Sequence, residues 1–143
     1  MSLPNRIERT LDVAHPIERV WTALTTTDGL AGWLGEKAEI DDLRPGAEIR
    51  VCWGGTWSVL RIETVEPPHR LCFAWPLDGL PPGDPRRTHV EIVLHAVGGG
   101  TRLGLTETGF AQLPDEFAAA YRGNLEGWRE ALAKLVRHLD GRH

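Results

Sequence analysis

Apolar residues recur along this chain in two periods, and each change of period marks an element. From Arg6 to Val13 the run RIERTLDV alternates, placing Ile7, Arg9, Leu11 and Val13 on one face of a strand. The spacing then lengthens. Pro16 suits a first helical position, and Ile17, Val20, Trp21 and Leu24 follow at helical intervals. TTTDGLAGWLG predicts a second short helix, with Thr27 or Asp28 as N-cap and Gly35 as its stop. From Lys37 to Gly109 the chain reads as strands and turns. Pro114 opens a long amphipathic helix, in which Phe117, Tyr121, Leu125, Trp128, Leu132, Leu135, Val136 and Leu139 form one stripe. Asp115 and Glu116 in its first turn, and Arg137 and His138 near its end, suit the helix dipole.

Two hairpins can be registered from their turns. With Gly54-Gly55 as a two-residue turn, Trp53 faces Thr56, Val51 faces Ser58 and Ile49 faces Leu60. On the other side Glu48 meets Arg61, Arg50 meets Val59 and Cys52 meets Trp57, and the opposite charges of the first pair favour this register. Closing Val97–Gly100 sets Leu94 against Leu103, Ile92 against Leu105 and Val90 against Glu107. The strand RLCFAW adds Leu71, Phe73 and Trp75 to one side. An inner face emerges that is apolar apart from one acid. Between Trp75 and Thr88 the segment PLDGLPPGDPRR, with four prolines, exceeds a tight hairpin loop and is a candidate rim or lid. A curved antiparallel sheet with a long helix to cover is an α+β, two-layer design.

Composition narrows the function classes. At 143 residues, 41% hydrophobic and 25% charged, residues 1–143 make one globular domain with one core. A net charge of −4 argues against nonspecific nucleic-acid binding. MSLPNRIERT lacks the apolar run of a signal peptide, and no stretch approaches the ~18 apolar residues of a membrane span. Cys52 and Cys72 have neither disulfide-scaffold nor metal spacing, and a cytoplasmic protein with reduced thiols is expected. The six histidines form no ligand pattern: His89 and His95 face outward, and His138 and His143 lie near the terminus. GGG at 98–100 is a turn, not a phosphate cradle, and Ser2 and Ser58 sit in no nucleophile motif. Neither metal nor cofactor is expected. Six Trp against three Phe and one Tyr is the unusual entry, suited to cores, interfaces and pockets alike.

VWTALTTTDGLAGWLG resembles the V-W/F-x-A-L-T-x-x-x-x-L-x-x-W signature of START-like, helix-grip proteins. It is similar in particular to the activator-of-heat-shock-protein-ATPase homologue group of the SRPBCC superfamily. VEPPHRLCFAW, GGGTRLGLTETGF and GWREALAKLVRHL match in the same order, so the resemblance covers nearly the whole chain. It implies a β-α-α-β6-α helix-grip fold, with a sheet wrapped around the C-terminal helix and an internal cavity between them. The superfamily includes lipid and hormone binders, polyketide cyclases and co-chaperone domains. The matching residues specify fold, and function must be read from the site.

Three readings of that site follow. Trp33, Trp53, Phe73, Trp75, Tyr121 and Trp128 line one cavity for a small hydrophobic molecule, aromatic or acyl, or else simply fill the core. Glu107 is the acid on the inner face. It serves as a polar handle for that ligand, or as the acid/base of a cyclase- or hydrolase-like enzyme. The alternative is a carboxylate at the cavity mouth, solvated or paired with an arginine or a backbone N–H. Trp57 and Val59 face outward and suit a partner surface, either a co-chaperone-like module or a homodimer, unless a loop covers them. Cys52 and Cys72 fall on the outer face as inert small residues. Noncatalytic ligand binding is the leading expectation.

Overall fold

The computed structural model describes residues 6–76, 87–110 and 118–141, with backbone alone at 53, 76 and 118–120. Strand β1 (Arg6–Val13) leads into α1 (Ile17–Thr25) and α2 (Thr27–Trp33). Six strands follow: β2 (Lys37–Ile40), β3 (Glu48–Trp53), β4 (Thr56–Glu66), β5 (Arg70–Pro76), β6 (Arg87–Val97) and β7 (Gly100–Thr108). Helix α3 (Ala118–Leu139) closes the chain. The strands form one antiparallel sheet in the order β1-β7-β6-β5-β4-β3-β2, so the first strand pairs with the last and β2 forms the far edge. This is the expected α+β, helix-grip architecture. The expected helix start at Pro114 and the proline-rich segment 77–86 lie outside the described residues.

Both hairpins adopt the registers that their turns dictate. Trp53 pairs with Thr56, Cys52 with Trp57 and Glu48 with Arg61. Leu94 pairs with Leu103, Ile92 with Leu105 and Val90 with Glu107. Gly54 and Gly55 have φ of 55° and 81°, the double positive φ of a tight two-residue hairpin turn. Between Ile62 and Thr64 the β4–β5 register shifts, and Glu63 is the extra residue of a bulge. The inward set on β4 therefore runs Leu60, Ile62 and then Val65, which faces Leu71.

Helices α1 and α2 meet almost without a linker. Thr26 is extended, at φ −120° and ψ 155°, and ends one helix while capping the next. Its Oγ1 accepts the Gly29 N–H at 3.1 Å, so the cap is Thr26 and not Thr27 or Asp28. Pro16 likewise stands one position earlier than expected. With ψ at 153° it is the cap of α1, and its carbonyl accepts the Arg19 and Val20 amides. At Gly29 the two helices approach so closely that an added Cβ would lie 2.5 Å from the Ala23 carbonyl oxygen. Gly35 follows α2, and its amide bonds to the Leu30 carbonyl at 3.2 Å.

The core lies between the inner face of the sheet and the helices. Ile7, Val90, Ile92, Leu94, Leu103 and Leu105 supply the sheet side, and Trp128, Leu132, Leu135 and Leu139 supply α3. Ile17, Val20, Ala23 and Leu24 bury the apolar face of α1, with Trp21 half-buried beside them. The end of α3 is tied to the start of α1. Arg19 donates to the Leu139 carbonyl, and His15 Nε2 lies 2.7 Å from Asp140 Oδ1. One expectation needs refinement. Cys52 and Cys72 are on the outer face by register, yet both are buried. The Cys72 thiol lies 3.9 Å from the Glu91 carboxylate, in a row where Arg70 and Glu91 reach over it, and burial pushes its pKa up. Among the described residues, no helix is long and apolar enough to cross a membrane.

Candidate functional site

The site begins with one buried acid. Glu107 sits near the end of β7, between Ile7 on β1 and Val90 on β6, and its exposure is 0%. Thr88 lies two residues from Val90 on the same face of β6, and its hydroxyl donates to Glu107 Oε2. Asn124 and Trp128 are four apart on α3 and so share a helix face. Trp128 donates its indole N–H to Glu107 Oε1 at 2.7 Å. The Asn124 Nδ2 group lies 3.2 and 3.1 Å from the two carboxylate oxygens.

Three side-chain donors thus converge on one carboxylate across the junction of helix and sheet. Burial pushes the Glu107 carboxyl above its usual range, and the donors from Thr88, Trp128 and Asn124 pull it partway back. The acid is buried, and among the described residues its partners are these side chains and not an arginine or a backbone amide, unlike the alternative raised from the sequence. Dedicated side chains satisfy it because no backbone donor in the antiparallel ladder points into the core. Sequence reading missed Thr88 and Asn124. The signal for each was present: Thr88 is diagonal to Glu107 in the predicted register, and Asn124 is one turn before Trp128.

Beside this network lies a cleft of about 100 Å³ lined by Leu34, Trp75, Gly123, Asn124, Gly127, Trp128 and Ala131. Trp75 and Trp128 meet edge to face, with ring centroids 5.3 Å apart and planes at 61°. Gly123 and Gly127 are one helical turn apart, and an added Cβ at either meets nothing within 4 Å. The hollow exists because α3 presents bare backbone there. A glycine inside a helix costs about 0.5–1 kcal/mol relative to alanine.

The expected pocket residues divide. Trp75 and Trp128 line the cleft. Trp33 is buried in the core, where its N–H donates to the Ala23 carbonyl at 2.9 Å. Phe73 is buried behind Trp75, with centroids 5.8 Å apart. Tyr121 stacks edge-on against Phe110 at 5.0 Å, and its hydroxyl is 3.4 Å from the Arg6 carbonyl. These three rings do not line the cleft, because nearer side chains fill the space in front of them. The Trp53 side chain lies outside the described residues. Glu107 stands one layer behind the cleft, reached through Asn124 and Trp128.

Trp57 and Val59 face outward, 45% and 42% exposed. The outer face also carries a broader hollow of about 440 Å³ over β4–β7, whose charged side chains largely pair among themselves. His89 bonds to Glu63 at 2.9 Å and Arg70 to Glu91 at 2.7 Å. Its walls are more polar than apolar, the reverse of the indole-walled cleft, which is the better candidate for an apolar molecule. Among the described residues, no group of three His, Cys, Asp or Glu side chains could hold a metal ion.

The sequence profile of the family described as Activator of Hsp90 ATPase homolog 1-like protein matches residues 14–140. The chain belongs to this family. Its START-like, helix-grip character agrees with the sheet and helices described above. No curated protein matches the chain. Among solved structures, protein MLL2253 from Mesorhizobium loti is 25% identical, with a TM-score of 0.82 over 96% of this chain and 98% of that one. DynU16, a protein of the dynemicin biosynthetic locus, is also 25% identical, with a TM-score of 0.78 over 96% of this chain. The match covers 48% of DynU16, about half its length. The Aha1 dimer from Colwellia psychrerythraea is 21% identical with a TM-score of 0.74, over 94% of this chain and 95% of that one, and shows the same fold.

Proposed function

We propose that this member of the Activator of Hsp90 ATPase homolog 1-like family binds a small apolar molecule, without chemical change, in the cleft between α3, the end of α2 and β5. One observation carries the reading: two indoles and the bare backbone of Gly123 and Gly127 wall a hollow in which side chains would otherwise pack. A dry cavity of roughly 150 Å³ holds a benzene ring. At about 100 Å³ the cleft takes one ring edge or the end of a short acyl chain, the rest of the ligand lying at its mouth. Burying roughly 150 Å² of apolar ligand surface contributes about 4 kcal/mol, so simple probes bind in the millimolar range.

The enzyme reading is the weaker one. A general base must come within hydrogen-bond reach of its substrate, whereas Glu107 has three partners and lies behind the cleft wall. Two buried free thiols fit a reducing compartment such as the cytoplasm.

The test compares wild type with Gly127→Leu, which fills the cleft, in a screen of small aromatic and acyl probes. Trp fluorescence and melting temperature shift in the wild type and stay fixed in the variant. If no probe moves either signal in the wild type, the reading is lost.

A second reading has its own observation, the exposed Trp57 beside Val59 on the outer face of β4. That pair suits a partner protein or a second copy of the chain. Sedimentation of wild type and Trp57→Ser tests the homodimer: a monomer in both at high concentration removes it.

A further inference from the structure

Among the described residues that line the cleft, Asn124 carries the carboxamide, and hydrogen bonding fixes what that group offers. Ionised Glu107 can only accept, so the Asn124 carboxamide turns its NH2 group toward it, with Nδ2 3.2 and 3.1 Å from the two carboxylate oxygens. The carboxamide oxygen is thereby turned away from the acid. Among the described residues, none donates to Asn124 Oδ1, and Asn124 lines the cleft half-buried. The neighbouring donor on the same wall, the Trp128 N–H, is spent on Glu107 at 2.7 Å. Asn124 therefore brings to the cleft an acceptor held rigidly by the network behind it.

We propose that the cleft selects small aromatic molecules bearing a hydroxyl or amine donor, which bonds to Asn124 Oδ1, and rejects carboxylates of the same shape. This rests on the ligand-binding reading and adds the chemical class. A donor reaching Oδ1 gains a hydrogen bond in a partly dry site, whereas a carboxylate opposes acceptor to acceptor with the Glu107 carboxylate one bond further back. The rest of the lining, two indoles with Leu34, Ala131 and two glycines, tolerates an aromatic body without specifying it. Selectivity arises at Asn124.

Three probes of matched shape separate the possibilities: p-cresol, p-xylene and p-toluate at neutral pH, titrated against the wild-type chain and followed by the indole and carboxamide N–H resonances. The expected result is that p-cresol binds about tenfold tighter than p-xylene, the worth of one net hydrogen bond, and that p-toluate does not bind. In Asn124→Leu, p-cresol falls to the affinity of p-xylene. Equal binding of p-cresol and p-xylene to the wild type overturns the selectivity and leaves the binding site standing. Tighter binding of p-toluate overturns it as well. If no probe binds up to about 10 mM, the cleft reading fails and the selectivity with it. The wild-type series decides the matter even if Asn124→Leu does not fold.

Discussion

The indole N–H of Trp128 meets the carboxylate of Glu107 at 2.7 Å, both side chains buried, one on the long helix and the other on the strand beneath it. This bond fixes the height and rotation of α3 over the sheet. It also turns one face of Trp128 to the cleft. The same residue serves packing and site.

Removing the acid strands its donors. Glu107→Ala leaves the Trp128 N–H, the Asn124 NH2 and the Thr88 hydroxyl without their acceptor, and one unsatisfied buried group costs about 1–3 kcal/mol. A loss of about 3 kcal/mol in urea unfolding is expected, against about 1 kcal/mol for Thr88→Val, which deletes one donor. Equal, small effects from both would mean that water enters and satisfies the network.

The buried acid also sets a pH dependence. Its carboxyl is raised above the 4.5 of an ordinary glutamate, so the folded state holds its proton where the unfolded state has lost it. Its contribution is full below pH 4.5 and is lost as pH rises through the raised folded value. Glu107→Gln removes the proton exchange and flattens that part of the stability curve. Asp12 and Asp41 are lowered, chiefly by hydrogen bonds from Arg102 and Arg50, and act in the other direction. Their contribution is lost only as pH falls below 3.8, a separate window. Urea midpoints from pH 3 to 8 for both chains resolve the two.

Gly127→Ala and Gly123→Ala are expected to stabilise the fold and impair the site. Each removes an interior helical glycine at a position where a Cβ meets nothing within 4 Å, a gain of about 0.5–1 kcal/mol. Each also narrows the cleft. A rise in melting temperature with weaker probe binding is the expected pair of changes; unchanged binding would place the ligand elsewhere.

At the far end of α3, Arg19 caps the Leu139 carbonyl. Arg19→Ala is expected to cost about 1 kcal/mol and to speed amide exchange in the last turn, while the middle of the helix stays protected.

Much of this arrangement was legible in the residues. Alternation together with two Gly-Gly turns was enough to place Glu107 opposite Val90, because a one-residue slip would have turned the whole apolar set outward. The partners of Glu107 were harder to read. Whether Asn124 or Leu125 faces the acid depends on the rotation of α3 about its axis, and packing across elements decides that. Trp33, Phe73 and Tyr121 show the same limit from the other side. Their inward positions were readable, but inward does not distinguish a cavity wall from a filled core. Cys72 reads as outward by parity, yet longer neighbours on the same face cover it.

The central claim is that a small aromatic molecule sits in the cleft walled by Trp75, Trp128, Gly123 and Gly127. Intermolecular nuclear Overhauser effects with p-cresol test it most directly. The account predicts cross-peaks from the cresol ring and methyl protons to the indoles of Trp75 and Trp128 and to the α-protons of Gly123 and Gly127, and none to Trp57. Cross-peaks confined to Trp57 and Val59, or none at a concentration that saturates binding, would contradict it.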